Sequence, residues 1–397
     1  MPPQPMQIHL LDGALGTLLS SHYNLHYTSS TPLWSSNLLI SPADRNILRD
    51  AHSRYARAGA EILLSATYQA SFEGFAKSQR DTCSEEVERG IGEDDARRLM
   101  RGAVGVARDA FECAGGLEGR AYIKGKGKVA LSLGPYGACM IPSTEYSGVY
   151  DSSHQSVGAL RDWHLQRLGA FCPFLRGAED SESDSSGEKG DKIDCWNDVD
   201  MVAFETLPVR KEILAVRESM SCVADGSERK PFWISCVFPG EEFTLPDGSD
   251  VRQVVEAMLG MEREDEDNND DGELQRQLAV PMGIGINCTR VDKIEKLILD
   301  MEDAVKGVIR NENEKWPALV VYPDGTMGEV YNTTTKEWEK VEAAVESEVP
   351  WEEAVFSIVK RTRERGMWKA IVVGGCCKTT PDDIAILRKR IDGLSTT

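Results

Sequence analysis

No apolar run in the 397 residues approaches the roughly 18–20 needed to span a bilayer, so no membrane helix is expected. Met1 to Gln7 is proline-rich and lacks the basic segment and apolar stretch of a secretory signal, which points to a cytoplasmic protein. Positive charge is short: 45 Lys and Arg stand against 65 Asp and Glu, a formal net charge of −20. Such a field repels phosphates and excludes a generic nucleic-acid binder. Ten cysteines are too few for a disulfide scaffold and fit a reduced compartment. No GxGxxG follows the first apolar run, so the dinucleotide fingerprint is missing too. Disorder throughout is excluded by the 41% of hydrophobic residues, which fall in regular runs.

Much of the acidity is local. Residues 179–198 carry eight acids against Lys189 and Lys192, and residues 262–273 carry eight against Arg263. Both are poor in apolar residues and read as solvated, flexible insertions rather than domain boundaries. The same pattern resumes after each, so residues 1–397 are expected to form a single domain. That pattern is a short apolar run followed by a helical segment. The runs are Ile8–Leu11, Glu61–Ala66, Val129–Leu133, Met201–Phe204, Phe232–Val237, Met282–Ile286, Ala318–Tyr322 and Ala370–Val373. They are nearly continuous rather than alternating, as strands covered on both faces are. Between them lie helices at Pro42–Ala58, Pro208–Met220, Val251–Leu259, Val291–Val308 and Trp351–Arg365. Ser41-Pro42-Ala43-Asp44 and Thr380-Pro381-Asp382-Asp383 read as helix starts, with a capping hydroxyl, a proline and acids in the first turn. Eight strands with intervening helices predict a (β/α)8 TIM barrel.

In such a barrel, chemistry collects where strands end. Here the ends read Asp12-Gly13, Thr67-Tyr68-Gln69, Gly134-Pro135-Tyr136-Gly137, Glu205-Thr206, Asn287-Cys288-Thr289 and Gly374-Gly375-Cys376-Cys377. Alternate strands share side-chain layers, which would bring Glu205, Cys288, Cys376 and Cys377 around one cavity. Three thiolates with a fourth position open would suit zinc. Helix starts after both cysteine clusters would lower the thiol pKa, and Gly374-Gly375 would let backbone approach a metal. The blander readings stand beside these. Free cysteine is commonly a small buried hydrophobe, Asp-Gly is an ordinary turn, and Glu205 could cap a helix. A redox pair at Cys376-Cys377 is the sharp rival to a metal. None of the six histidines falls at a strand end, which disfavours His ligands and Ser/His/Asp or Cys/His hydrolysis.

Taken together, Leu11-Asp12-Gly13-Ala14-Leu15-Gly16-Thr17, Ala66-Thr67-Tyr68-Gln69-Ala70-Ser71, Gly134-Pro135-Tyr136-Gly137, Phe204-Glu205-Thr206, Gly285-Ile286-Asn287-Cys288 and Gly374-Gly375-Cys376-Cys377 resemble the homocysteine S-methyltransferase family. They occur in the family's order over residues 8–392. The resemblance implies a zinc-dependent barrel that transfers a methyl group to L-homocysteine, giving methionine, with Zn2+ held by Cys288, Cys376 and Cys377. It implies that Asp12, Gly13, Gln69, Glu205 and Asn287 bind substrate, with Glu205 meeting the ammonium. The nucleophile would be the substrate thiolate, with no catalytic side chain. The segment from Gly134 through Ser143-Thr144-Glu145-Tyr146 resembles the branch using a sulfonium donor, S-methylmethionine or S-adenosylmethionine, rather than betaine. Selenocysteine or another small thiol as acceptor, or a non-enzymatic barrel sensing zinc or redox state, are the alternatives. The oligomeric state is left open.

Overall fold

The computed structural model describes residues 6–27, 31–78, 90–115, 127–175, 195–223, 229–260, 278–309, 316–326, 329–332, 337–340 and 349–394. Seven strands come first: β1 (Gln7–Leu10), β2 (Ile62–Leu64), β3 (Lys128–Leu133), β4 (Met201–Leu207), β5 (Phe232–Cys236), β6 (Gly283–Asn287) and β7 (Ala318–Tyr322). An antiparallel hairpin of β8 (Glu329–Asn332) and β9 (Glu337–Lys340) precedes the final strand, β10 (Ala370–Val373). The eight long-range strands are parallel and lie in the order β1-β10-β7-β6-β5-β4-β3-β2. The seam between β1 and β2 is bridged at Leu11 and Ile62. There Glu61 N donates to Leu10 O (2.7 Å) and Asp12 N to Ile62 O (3.1 Å). The result is a nearly closed (β/α)8 barrel, as the eight apolar runs predict.

Two apolar layers hold it. One set of strand residues packs outward onto the helices. The other fills the lumen with Ile62, Ala130, Met201, Ala203, Trp233, Val320, Tyr322 and Val372. Trp233 and Tyr322 are bulky enough to make this a packed core rather than a pore. Gly285 is required here: a Cβ would sit 1.7 Å from the Val320 carbonyl oxygen of β7. Both predicted helix starts are present. The Ser41 side chain accepts from Ala43 N ahead of the helix Pro42–Arg57. Thr380 and Asp383 form a reciprocal capping box on the helix Pro381–Gly393.

The structure differs from the sequence reading in several places. β4 runs on to Leu207, with a register shift between Phe204 and Leu207, so Glu205 and Thr206 belong to the strand. β2 is only three residues long. The helices Leu15–Tyr23, Glu93–Ala114 and Val157–Gly169 and the β8–β9 hairpin are additions. Residues 179–194 and 262–273 lie outside the described residues. The end of the first acidic stretch is not simply solvated, because Cys195 and Trp196 are buried. Among the described residues, no helix is long and apolar enough to cross a membrane.

Candidate active site and metal centre

The carboxyl ends of the strands open onto a cavity of about 470 Å³. Asp12, Gly13, Gln69, Glu205, Asn287, Cys288, Cys376 and Cys377 all line it. Residues from both ends of the chain meet there because β1 and β10 are neighbours. Gly375 N donates to Asp12 O (3.0 Å), and Ala14 N donates to Thr379 Oγ1 (3.1 Å). Tyr55 OH donates to the carbonyls of Ala14 (3.0 Å) and Thr379 (3.1 Å). This packing explains the glycine pair. A Cβ on Gly374 would meet Asp12 O at 2.6 Å, and one on Gly375 would meet the Thr379 side chain at 2.4 Å. The glycines thus serve the junction between the two chain ends, not backbone approach to a metal.

The sulfurs of Cys288, Cys376 and Cys377 lie within 4.8 Å of one another. Cys288 and Cys376 are joined as a disulfide, and Cys377 is a free thiol. The adjacent cysteines Cys376 and Cys377 are therefore not the bonded pair. Cys288 N donates to Tyr322 O (3.2 Å) and Cys376 N to Pro323 O (2.9 Å), which fixes both loops against the end of β7. Burial, with the Asp324 charge second, pushes the Cys377 thiol up to about 12. Burial therefore works against the lowering expected from a helix start. The donor set fits a soft divalent cation once the disulfide is reduced. Three thiolates around a tetrahedral zinc stand roughly 3.8 Å apart for Zn–S bonds of about 2.3 Å, so opening the Cys288–Cys376 bond calls for a separation of these two sulfurs by about 2 Å beyond a disulfide's length.

Backbone strain marks the same place. Thr206 has φ +61°, Cys288 φ +46° and Lys378 φ +62°, a region that side-chain-bearing residues seldom adopt. Asn287 holds Thr206 in this state. Thr206 N donates to Asn287 Oδ1 (2.8 Å), and Asn287 Nδ2 donates to Thr206 Oγ1 (2.7 Å). Asn287 lines the cavity, but both ends of its amide are engaged.

Three buried carboxylates face this space. Leu64 N donates to Asp12 Oδ2 (2.9 Å), and Oδ1 has no partner. Burial, with Glu205 adding to it, raises the Asp12 carboxyl well above its usual range. Ser132 Oγ donates to Glu205 Oε1, and burial pushes Glu205 up to about 7. Tyr68 OH donates to Glu145 Oε2 (2.6 Å), and burial likewise pushes Glu145 up to about 7. Among the described residues, no cation stands against any of the three. A buried carboxylate without a cation is costly, and a cluster of them in a cavity calls for a cationic ligand.

Two supports have no signal in the sequence. Arg167 is 1% exposed and donates to the carbonyls of Ala70 (2.9 Å), Gly134 (2.7 Å), Thr67 (3.2 Å) and Tyr68 (3.0 Å). It ties the loop after β2 to the loop after β3. Glu212 is fully buried and accepts from Tyr136 N (2.7 Å) and from Tyr150 OH, and it contacts His164 Nε2 (2.9 Å). It thereby holds both ends of the Tyr136–Tyr150 segment that carries Glu145.

The chain is similar to known proteins over nearly its whole length. The family model described as homocysteine S-methyltransferase matches residues 9–391. Homocysteine S-methyltransferase 3 of Arabidopsis thaliana is 28% identical over 390 residues, covering 96% of this chain and 88% of that protein. The metallated form of the homocysteine methyltransferase MmuM from Escherichia coli superposes with a TM-score of 0.61 at 27% identity, covering 97% of this chain and 96% of that one. Its oxidised form gives a TM-score of 0.61 at 27% identity, covering 96% of each chain. A strand-end cysteine triad on a (β/α)8 barrel, matched over nearly its whole length, puts the chain in the homocysteine S-methyltransferase family.

Proposed function

We propose that this protein transfers a methyl group from a sulfonium donor, S-methylmethionine or S-adenosylmethionine, to the thiol of L-homocysteine, giving methionine. The observation carrying this reading is the convergence of Cys288, Cys376 and Cys377 on a cavity that is also lined by the buried carboxyl groups of Asp12, Glu145 and Glu205. Reduced, these three cysteines would hold Zn2+, which would ionise a substrate thiol whose free pKa is about 8.5. Asp12 and Glu205 lie close enough to raise each other's cost of ionisation, and together they suit the substrate ammonium. Ser132 and the Asn287–Thr206 pair fix the Glu205 strand end. The attacking sulfur forms a bond to the methyl carbon while the donor's carbon–sulfur bond breaks. The electron pair stays on the departing sulfur, which becomes a neutral thioether. The thiol proton goes to solvent, so no side chain need act as a base. The barrel's contribution is proximity, alignment and exclusion of water.

The experiment is methionine formation by reduced, zinc-loaded protein given homocysteine with S-methylmethionine, S-adenosylmethionine or betaine, and with selenocysteine as a competing acceptor. Turnover with a sulfonium donor, lost on chelation and restored by zinc, is expected. No turnover with any donor overturns the reading and leaves a barrel that responds to zinc or redox state, which the Cys288–Cys376 disulfide would then explain.

A further inference from the structure

The cavity holds more carboxyl groups than one amino-acid ammonium requires. Asp12 and Glu205 act on each other and form one anionic point. Glu145 comes from a different element, the loop after β3, and its charge acts on Cys377. It is 8% exposed and lines the cavity, and its Oε2 accepts from Tyr68 OH at 2.6 Å. The next residue, Tyr146, has its hydroxyl 3.8 Å from Cys377 Sγ. A single wall therefore presents a carboxylate and two tyrosine rings next to the sulfur cluster.

We propose that Glu145, flanked by Tyr68 and Tyr146, is the specificity-determining counter-charge for the sulfonium of the methyl donor. The inference rests on the function proposed above. The position decides between the two cationic ends of such a donor. In-line transfer requires the sulfonium to lie next to the sulfurs, whereas the donor's own ammonium lies further along its chain. Carboxylates and aromatic faces are both favourable neighbours for an onium group. The attraction holds in the ground state and also in the transition state, where the methyl is still partly bonded to the donor sulfur, and it is lost only in the neutral thioether product. Glu145 therefore governs donor binding and product release more than the chemical step.

The test uses the full chain, reduced and zinc-loaded, as wild type, Glu145→Gln and Glu145→Asp. KM and kcat are measured separately for S-methylmethionine and S-adenosylmethionine at saturating homocysteine. Binding of methionine, the neutral thioether, is measured by calorimetry. Glu145→Gln is expected to raise the KM of the sulfonium donor about 10- to 100-fold, leaving kcat within about threefold. Homocysteine KM and methionine affinity should not move. Glu145→Asp, which keeps the charge on a shorter stem, should fall between Gln and wild type. If Glu145→Gln does not fold, the Asp variant carries the test alone through a raised donor KM with unchanged methionine affinity. An unchanged donor KM, or equal losses for sulfonium and methionine, overturns the assignment while the enzyme's function stands. A wild-type protein that turns over neither donor overturns the function and the assignment with it.

Discussion

At the scale of single residues, the three cysteines make the sharpest prediction. Reduced wild type should bind one zinc per chain, and Cys288→Ala, Cys376→Ala and Cys377→Ala should each lose most of it, as metal analysis of dialysed protein would show. Only Cys377→Ala should still form the Cys288–Cys376 disulfide, so its free-thiol count should fall by two on oxidation. Glu205 gives a pH dependence. Its folded pKa of about 7 lies above the ordinary value of about 4.3. Such a group adds stability that is fully present below its unfolded pKa and is lost as pH rises through the folded one. Metal-free wild type should therefore melt at progressively lower temperature between about pH 4.5 and 7, and Glu205→Gln should follow a flatter profile. The cysteines and acids were legible in the sequence because they sit where apolar runs stop. Arg167 was not, since its task is to satisfy loop carbonyls from the middle of a helix, and no local pattern announces that. Arg167→Met would orphan four carbonyls, and denaturant titration should show a loss of about 3 kcal/mol.

Among the elements, strands were easier to read than helices for a physical reason. A parallel strand covered on both faces needs a nearly continuous apolar run, and each of the eight has one. Helices need only a stripe, and in the missed ones that stripe is made largely of small or polar residues. Glu93–Ala114 buries mostly small residues, including Ala96, Ala103, Ala107 and Ala110. Val157–Gly169 turns His164 and Arg167 inward, so polar residues stand where apolar ones would be sought. The loop after β3 depends on such a polar support. Glu212 grips both of its ends, and replacing it with Gln weakens the contacts to Tyr150 and His164. Glu212→Gln should raise the KM of the sulfonium donor more than that of homocysteine and lower the melting temperature by several degrees. Equal changes in both KM values would show that the loop serves both substrates alike.

Over the whole molecule, charge and closure matter most. A net charge of −20 draws cations toward the molecule. S-methylmethionine carries a net positive charge near neutral pH, whereas homocysteine is close to neutral. Raising salt from low ionic strength to about 0.5 M should lower kcat/KM for the donor about threefold or more, with little effect on that for homocysteine. The barrel itself was legible because its repeat runs the length of the chain. The hairpin β8–β9 was not, as its sequence is charged and has no continuous apolar run. The pairing of β1 with β10 also has a consequence for synthesis. A nascent chain that has emerged through residue 369 already carries Asp12, Glu205 and Cys288. It still lacks two of the three sulfurs and the strand that must slide between β1 and β7. Until that strand arrives, the ribosome-bound protein has an open barrel edge and a single cysteine of the triad, so a metal that needs all three sulfurs has to wait for β10.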